Sequence, residues 1–138
     1  MKKLLVFLAV AIAAVSCNKS ESILVTSRIE ANAQCPMVVD YLTTLTSVEY
    51  DAGDPNFVYN YTIDESQCPI SVIKTQADTI ADNIAASIRN VPDSKIILDA
   101  CVDANVVILY KYKGSESGDG FRIYYDPSDS HTRVVLDL

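Results

Sequence analysis

Between Asp64 and Pro92 the chain carries its strongest pattern, and that pattern constrains everything around it. Ile73, Ala77, Ile80, Ile84, Ile88 and Val91 recur every three or four residues, the spacing that places side chains on one face of a helix. Asp64-Glu65-Ser66-Gln67 supplies cap and first-turn chemistry, Pro69 suits a first helical position, and Asn90 with Pro92 closes the run. Asp78, Asp82 and Arg89 fall off the stripe. A helix with one apolar stripe has to bury it. A ligand-binding use of the isoleucines is the alternative to burial against a sheet, and burial is the commoner arrangement.

Segments of strand character lie on both sides. Thr43 to Asp51 is rich in Thr and Val, and Asp51-Ala52-Gly53-Asp54-Pro55-Asn56 reads as a turn. Phe57, Tyr59, Tyr61 and Ile63 then alternate with polar residues, so they share one face of a strand. These two segments predict an antiparallel hairpin. After the long helix, Asp93-Ser94 caps a shorter one through about Ala104, with Ile97 and Cys101 four apart. Val106 to Lys113 is a strand with Val106, Ile108, Tyr110 and Tyr112 on one side and Lys111 and Lys113 on the other. Gly114 to Gly120 is a turn, Phe121 to Tyr125 a strand, Asp126-Pro127-Ser128-Asp129 a second turn, and His131 to Leu138 an edge strand with Val134 and Leu136 inward.

Ahead of these, Val25, Ile29 and Ala33 recur at helical spacing, so Ile23 to Gln34 predicts a helix started by Glu21-Ser22 and closed by Pro36. A strand there is the alternative, since Ile23-Leu24-Val25-Thr26 is β-rich. The expected fold is α+β: an antiparallel sheet of four to five strands with helices on one face, in the order α-ββ-αα-ββ(β).

The chain opens with Lys2-Lys3, an apolar run from Leu4 to Val15, and Ser16-Cys17. A positive start, a short apolar run and a small-residue cleavage point make a secretory signal. The run is too short to cross a hydrocarbon core, which needs about 20 apolar residues. Ala14-Val15-Ser16-Cys17 resembles the lipobox of bacterial lipoproteins, although that family prefers Leu where Ala14 stands. The resemblance implies cleavage before Cys17, a diacylglycerol thioether on its sulfur, and acylation of its new amine. Two or more chains are what a stable lipid anchor requires. A plain secretory signal with an incidental Cys17 is the alternative. Ser16-Cys17-Asn18-Lys19-Ser20-Glu21 is also similar to the junction of Bacteroidota lipoproteins, in which an acidic cluster directs export to the cell surface. Here Glu21 alone follows closely, so the resemblance implies an outer-membrane lipoprotein and leaves its periplasmic or surface face open. The division is then a signal peptide over 1–16, a lipidated Cys17 and tether over 17–22, and one globular domain over 23–138.

Cys17 to Leu138 is 122 residues, enough for one domain with its own core. Two of the eleven basic residues, Lys2 and Lys3, belong to the leader; without them nine face eighteen acidic ones, a formal charge of −9. That balance argues against nucleic acid and against adhesion to anionic lipid heads. Three further cysteines remain, Cys35, Cys68 and Cys101. An oxidising compartment permits one disulfide among them, and spacing does not choose the pair. No Cys or His grouping has zinc spacing.

Little else carries chemistry. The single histidine, His131, has Asp126 and Asp129 nearby, but a turn whose carboxylates bond their own backbone explains them better than a metal site. Ser128 and Ser130 sit in no nucleophile elbow. Gly114 to Gly120 is glycine-rich, yet a phosphate cradle should open into a helix, and Phe121 onward reads as a strand. No cofactor motif is present. The unusual feature is tyrosine: Tyr59, Tyr61, Tyr110, Tyr112 and Tyr125 fall on the apolar faces of predicted strands. The expected arrangement is rings packed under the helices with hydroxyls at the rim. The sharper alternative is an aromatic cleft for a peptide or glycan that includes Tyr41 and Tyr124.

Asn32-Ala33-Gln34-Cys35-Pro36, Val39-Asp40, Thr44-Leu45-Thr46-Ser47-Val48 and Val58-Tyr59-Asn60-Tyr61-Thr62 together resemble small envelope proteins with no assigned active site. The first expectation is therefore a non-catalytic interaction or binding domain, lipid-anchored in a Gram-negative envelope, whose partner is the membrane through its lipid and an envelope protein, peptide or glycan. An accessory or inhibitory subunit of a secretion, assembly or protease system is second. A hydrolase is third, disfavoured by the lone histidine.

Overall fold

The computed structural model describes residues 19–91 and 94–138. The expected leader and the expected lipid-bearing Cys17 lie outside the described residues. Helix α1 (Lys19–Ala33) is followed by strands β1 (Met37–Val38), β2 (Thr43–Glu49) and β3 (Asn56–Ile63). Helices α2 (Ile70–Lys74), α3 (Ala77–Asn90) and α4 (Ser94–Ala104) come next, and then strands β4 (Val107–Gly114), β5 (Gly120–Asp126) and β6 (His131–Val135). The α+β class and the overall order follow the expectation.

The described strands form one six-stranded sheet in the order β1-β2-β3-β4-β5-β6, where four to five were expected. The extra one, β1, is two exposed residues after Pro36, too short to show any alternation. The sheet is also not antiparallel throughout. Hairpin turns join β2 to β3 and β4 to β5, and both pairs are antiparallel. Between β3 and β4 the chain crosses through three helices; such a crossover returns the next strand in the same direction, and β3 and β4 pair in parallel from Asn56↔Val107 to Ile63↔Gly114.

The predicted inner face is the buried one. Phe57, Ile63, Ile108, Tyr110, Tyr112, Phe121, Ile123 and Tyr125 form a single core with Leu24 of α1, Ile70 of α2, Ala77, Ala81 and Ala85 of α3, and Ala100 and Cys101 of α4. Leu45 and Val48 of β2 join it although they are an odd number apart, because a bulge between Leu45 and Ser47 resets the alternation. Of the two inward residues expected on β6, Val134 packs on the core, whereas Leu136 lies beyond the strand and is exposed. Helix α1 packs on β2 and α4, α4 also on β4, α2 on β5, and α3 across β5 and β6.

Three helix expectations change. Lys19 to Ser22, expected as tether, lie in α1, and the helix turns Leu24 fully into the core while Ile29 of the expected stripe stays 48% exposed. The expected single helix after Pro69 is two. Thr75 donates its hydroxyl to the Val72 carbonyl at 2.6 Å, and the N–H groups of Thr75 and Gln76 bond three residues back rather than four. That local competition tightens the turn and ends α2. Pro69 sits just before the first helical residue, as the cap of α2. Finally, the line of α3 closest to the sheet is Ala77, Ala81 and Ala85. The isoleucines flank it, half-buried, and Val91 is exposed.

Asn32 links α1 to the sheet. Its carboxamide nitrogen donates to the Val48 carbonyl at 2.6 Å and its oxygen accepts the Val48 N–H at 2.7 Å. Strand β1 stops opposite Thr44 and Leu45, so one side chain here does for Val48 what a neighbouring peptide would.

Candidate functional site: a tyrosine-floored cleft

The tyrosines of β3 and β4 are brought together by the parallel register. Tyr59 lies opposite Tyr110 and Tyr61 opposite Tyr112. Their rings stack nearly parallel across the sheet: the centroids of Tyr59 and Tyr110 are 5.3 Å apart, those of Tyr61 and Tyr112 4.9 Å, and Tyr112 continues to Phe121 at 4.8 Å. This is the expected packing of rings under helices, and contacts of this geometry are worth about 0.5–1.5 kcal/mol each beyond burial.

The helices do not cover that ladder completely. A cleft of about 450 Å³ opens over Tyr61, Tyr110, Tyr112 and Ile63. Its wall is Ile73 of α2 with Ile80, Ile84, Ser87 and Ile88 of α3, and its rim is Val39, Asp40 and Leu42 from the β1–β2 connection with Thr43, the first residue of β2. The isoleucines line it because the alanine line sits deepest, which lifts the branched side chains to the edge of the helix–sheet contact. A volume of this order, apolar walls and a few polar groups are the usual attributes of a small-molecule site.

The polar groups are phenols and one carboxylate. Among the described residues the hydroxyls of Tyr61, Tyr110 and Tyr112 have no hydrogen-bond partner in the protein, and none of the three is sealed from solvent, although the Tyr110 residue as a whole is 9% exposed. Burial, reinforced by neighbouring phenols, pushes Tyr110 well above the ordinary tyrosine value and raises Tyr61 as well. Burial, with the nearby Asp40 carboxylate adding to it, pushes Tyr112 up to about 12. All three are therefore neutral donors at physiological pH. Asp40 is held in place by accepting the backbone N–H groups of Leu42 and Thr43, each at 2.8 Å, which fixes its carboxylate at the rim.

The residues singled out in the sequence are dispersed. Tyr41 is 81% exposed in the β1–β2 connection, whereas Tyr124 stands on β5 with β3 and β4 between, opposite Leu109 and on the face away from the helices. The two do not share a cleft. The cysteines among the described residues are free thiols in three separate places: Cys35 follows α1, Cys68 precedes α2, and Cys101 is fully buried on α4. Burial pushes the Cys101 thiol up to about 12, which removes it as a nucleophile at neutral pH. Asp129 accepts the His131 backbone N–H, and Asp126 accepts both the N–H and the hydroxyl of Ser128. Among the described residues no three His, Cys, Asp or Glu side chains converge as a metal-binding group.

The glycine-rich turn between β4 and β5 does cradle an anion, and the anion is the chain's own. Glu65 accepts the backbone N–H groups of Glu116 and Ser117 at 2.9 and 2.7 Å and the Ser117 hydroxyl at 2.9 Å. A Cβ on Gly114 would meet that carboxylate, so a side chain there would push Glu65 out of the cradle. The Ser117 N–H foremost, with the Glu116 N–H and Ser117 hydroxyl beside it, lowers Glu65 to about 2 against a desolvation effect in the other direction.

Residues 22–120 match the family model described as domain of unknown function DUF8479. The chain belongs to this family. The matched stretch of the DUF8479 domain runs from α1 to the first residue of β5 and so contains the whole cleft. No curated protein matches the chain. Among solved structures it is similar to a crystal structure of a Pseudomonas aeruginosa protein inferred to be secreted, with a TM-score of 0.65 at 8% identity over 82% of this chain and 94% of that one. That likeness is one of fold. Among the described residues no helix is long and apolar enough to cross a membrane.

Proposed function

We propose that this chain is a non-catalytic binding domain, held at the outer membrane of a Gram-negative, Bacteroidota-type cell by lipid on Cys17, and that the tyrosine-floored cleft is where it takes its ligand. The observation that carries the reading is the combination at one place of a 450 Å³ apolar space and three phenols with no protein partner. The buried hydroxyl left without a partner among the described residues is that of Tyr50, outside the cleft; the cleft phenols keep contact with solvent, so a ligand that brings acceptors replaces water on them rather than having to open the fold. The occupant this chemistry fits is a small molecule with an apolar body and one polar end, the body against Ile80, Ile84 and Ile88 and the polar end toward Tyr112 and Asp40. The lipobox resemblance supports the anchor.

The test uses N-phenyl-1-naphthylamine, an apolar amine whose fluorescence rises on leaving water, with the folded region Lys19–Leu138. The wild-type region brightens the probe saturably. Ile84→Trp, which fills the cleft from its wall, abolishes that signal while leaving the melting temperature within a few degrees of wild type. An unchanged signal in the tryptophan variant contradicts the assignment.

A further inference from the structure

The face of the sheet that the helices leave bare carries a different chemistry. In a chain with eighteen acidic and eleven basic residues, Lys111, Lys113, Arg122 and Arg133 stand together on it. The register fixes this: Lys111 pairs with Arg122, and Tyr124, two residues along from Arg122, pairs with Arg133. Directly opposed like charges such as Lys111 and Arg122 are destabilising in a sheet. Arg122 is partly answered by Asp137 at 3.3 Å and donates to the Tyr124 hydroxyl at 3.1 Å. Among the described residues Lys111, Lys113 and Arg133 have no carboxylate partner. Glu49 and Asp126 are the other acids on this face, and Asp126 is engaged by Ser128.

We propose that this bare face binds an anionic polysaccharide. Cations on neighbouring strands are about 5 Å apart and those two along a strand about 7 Å, a row suited to carboxylates or phosphates repeating along an extended chain. Beside the row, β3 presents Asn56, Asn60 and Thr62, amide and hydroxyl groups matched to sugar hydroxyls. Stacking of nucleic-acid bases is disfavoured, because the Arg133 guanidinium already covers the Tyr124 ring at 4.2 Å and base platforms need open rings. A folded acidic protein is disfavoured too, since stable protein interfaces deplete charge at their centre, and here the centre is the charge. The face lies across the sheet from the cleft, so this binding is independent of the cleft's ligand.

The experiment passes the full chain, in non-ionic detergent, over immobilised polygalacturonate, neutral dextran, polyglutamate and single-stranded DNA. The expected result is retention on polygalacturonate that weakens with salt, none on dextran, and at least about tenfold weaker binding by the K111Q/K113Q/R133Q variant, since each lost cation removes a counterion-releasing contact. The single variants K113Q and R133Q, at exposed positions, give smaller losses in the same direction and carry the test if the triple variant melts early. Ile84→Trp leaves retention unchanged. Passage through polygalacturonate at low salt, equal retention of the variants, or tighter binding to DNA or polyglutamate overturns the proposal.

Discussion

Tyr61 and Tyr112 stand side by side on β3 and β4, their ring centroids 4.9 Å apart and their planes 12° from parallel. Neither strand alone dictates this. It follows from the parallel register, which pairs Tyr61 with Tyr112 and Tyr59 with Tyr110, and so from the three-helix crossover that makes the strands parallel. The ladder gives the core a stiff aromatic floor, and the same phenols become the polar groups of the cleft where α3 stops short of covering them.

Glu65 ties the start of the crossover to the turn at its far side. Its carboxyl is held near 2 in the folded chain, below the ordinary value of 4.5. A group with a depressed folded value contributes stability that is present above its unfolded value and lost as pH falls through the folded one. The native chain should therefore lose stability between about pH 4.5 and 2. Glu65→Gln, followed by thermal melts across that range at low salt, should melt lower than wild type at pH 7 and show a flatter acid limb. Parallel acid limbs would contradict the role given to the carboxylate.

The alanine line of α3 makes a second prediction. Ala81 is 2% exposed between helix and sheet, so Ala81→Leu should overpack the contact and destabilise by about 1–3 kcal/mol. Ile84 lines the cleft and is only partly buried, so Ile84→Ala should fall below the about 2–5 kcal/mol typical of a buried isoleucine. Urea titrations of both variants check the order. A larger loss at Ile84 than at Ala81 would place the isoleucines, not the alanines, at the heart of the packing.

The thiols separate two states of the chain. With Cys35, Cys68 and Cys101 free, iodoacetamide at pH 8 should modify Cys35 and Cys68 in the native protein and Cys101 only after unfolding, because Cys101 is buried and its thiol pushed up to about 12. Mass spectrometry counts the additions. One addition in denaturant without reductant would instead report a disulfide among the three.

The anchor is tested by intact mass of the protein from its own membranes. The expected species starts at Cys17 and carries a diacylglycerol thioether with an acylated amine. A bare Cys17, or a chain that retains Met1 to Ser16, would contradict lipid anchoring.

Much of this fold was legible in the chain, and the parts that were not have physical reasons. Alternation over Phe57 to Ile63 and Val106 to Lys113 reports which face each residue takes, and those faces are as read. It carries no information about which strand lies alongside, so the parallel pairing of β3 and β4 was hidden. Three- and four-residue spacing locates a helix face but not its deepest line, and adjacent Ala81 and Ala85 lie as close to that face as Ile80 and Ile84. The break at Thr75 depends on one hydroxyl competing for the Val72 carbonyl. Strand β1 is paired over only Met37 and Val38, and Asn32 reads as an ordinary polar helix residue until its amide is seen on Val48. The cleft was half visible: its tyrosines and isoleucines each marked an apolar face, whereas the gap between them and the rim at Asp40 are products of packing. Tyr41 and Tyr124 read as members of one aromatic cleft, but the sequence carries no information on the strands that separate them.

The most direct measurement is a tyrosine-labelled NMR titration of Lys19–Leu138 with N-phenyl-1-naphthylamine. Ring signals of Tyr61, Tyr110 and Tyr112 should shift together and saturate, with Tyr41 and Tyr124 unmoved. Shifts confined to Tyr41 or Tyr124, or none at saturating probe, would contradict the cleft as the binding site.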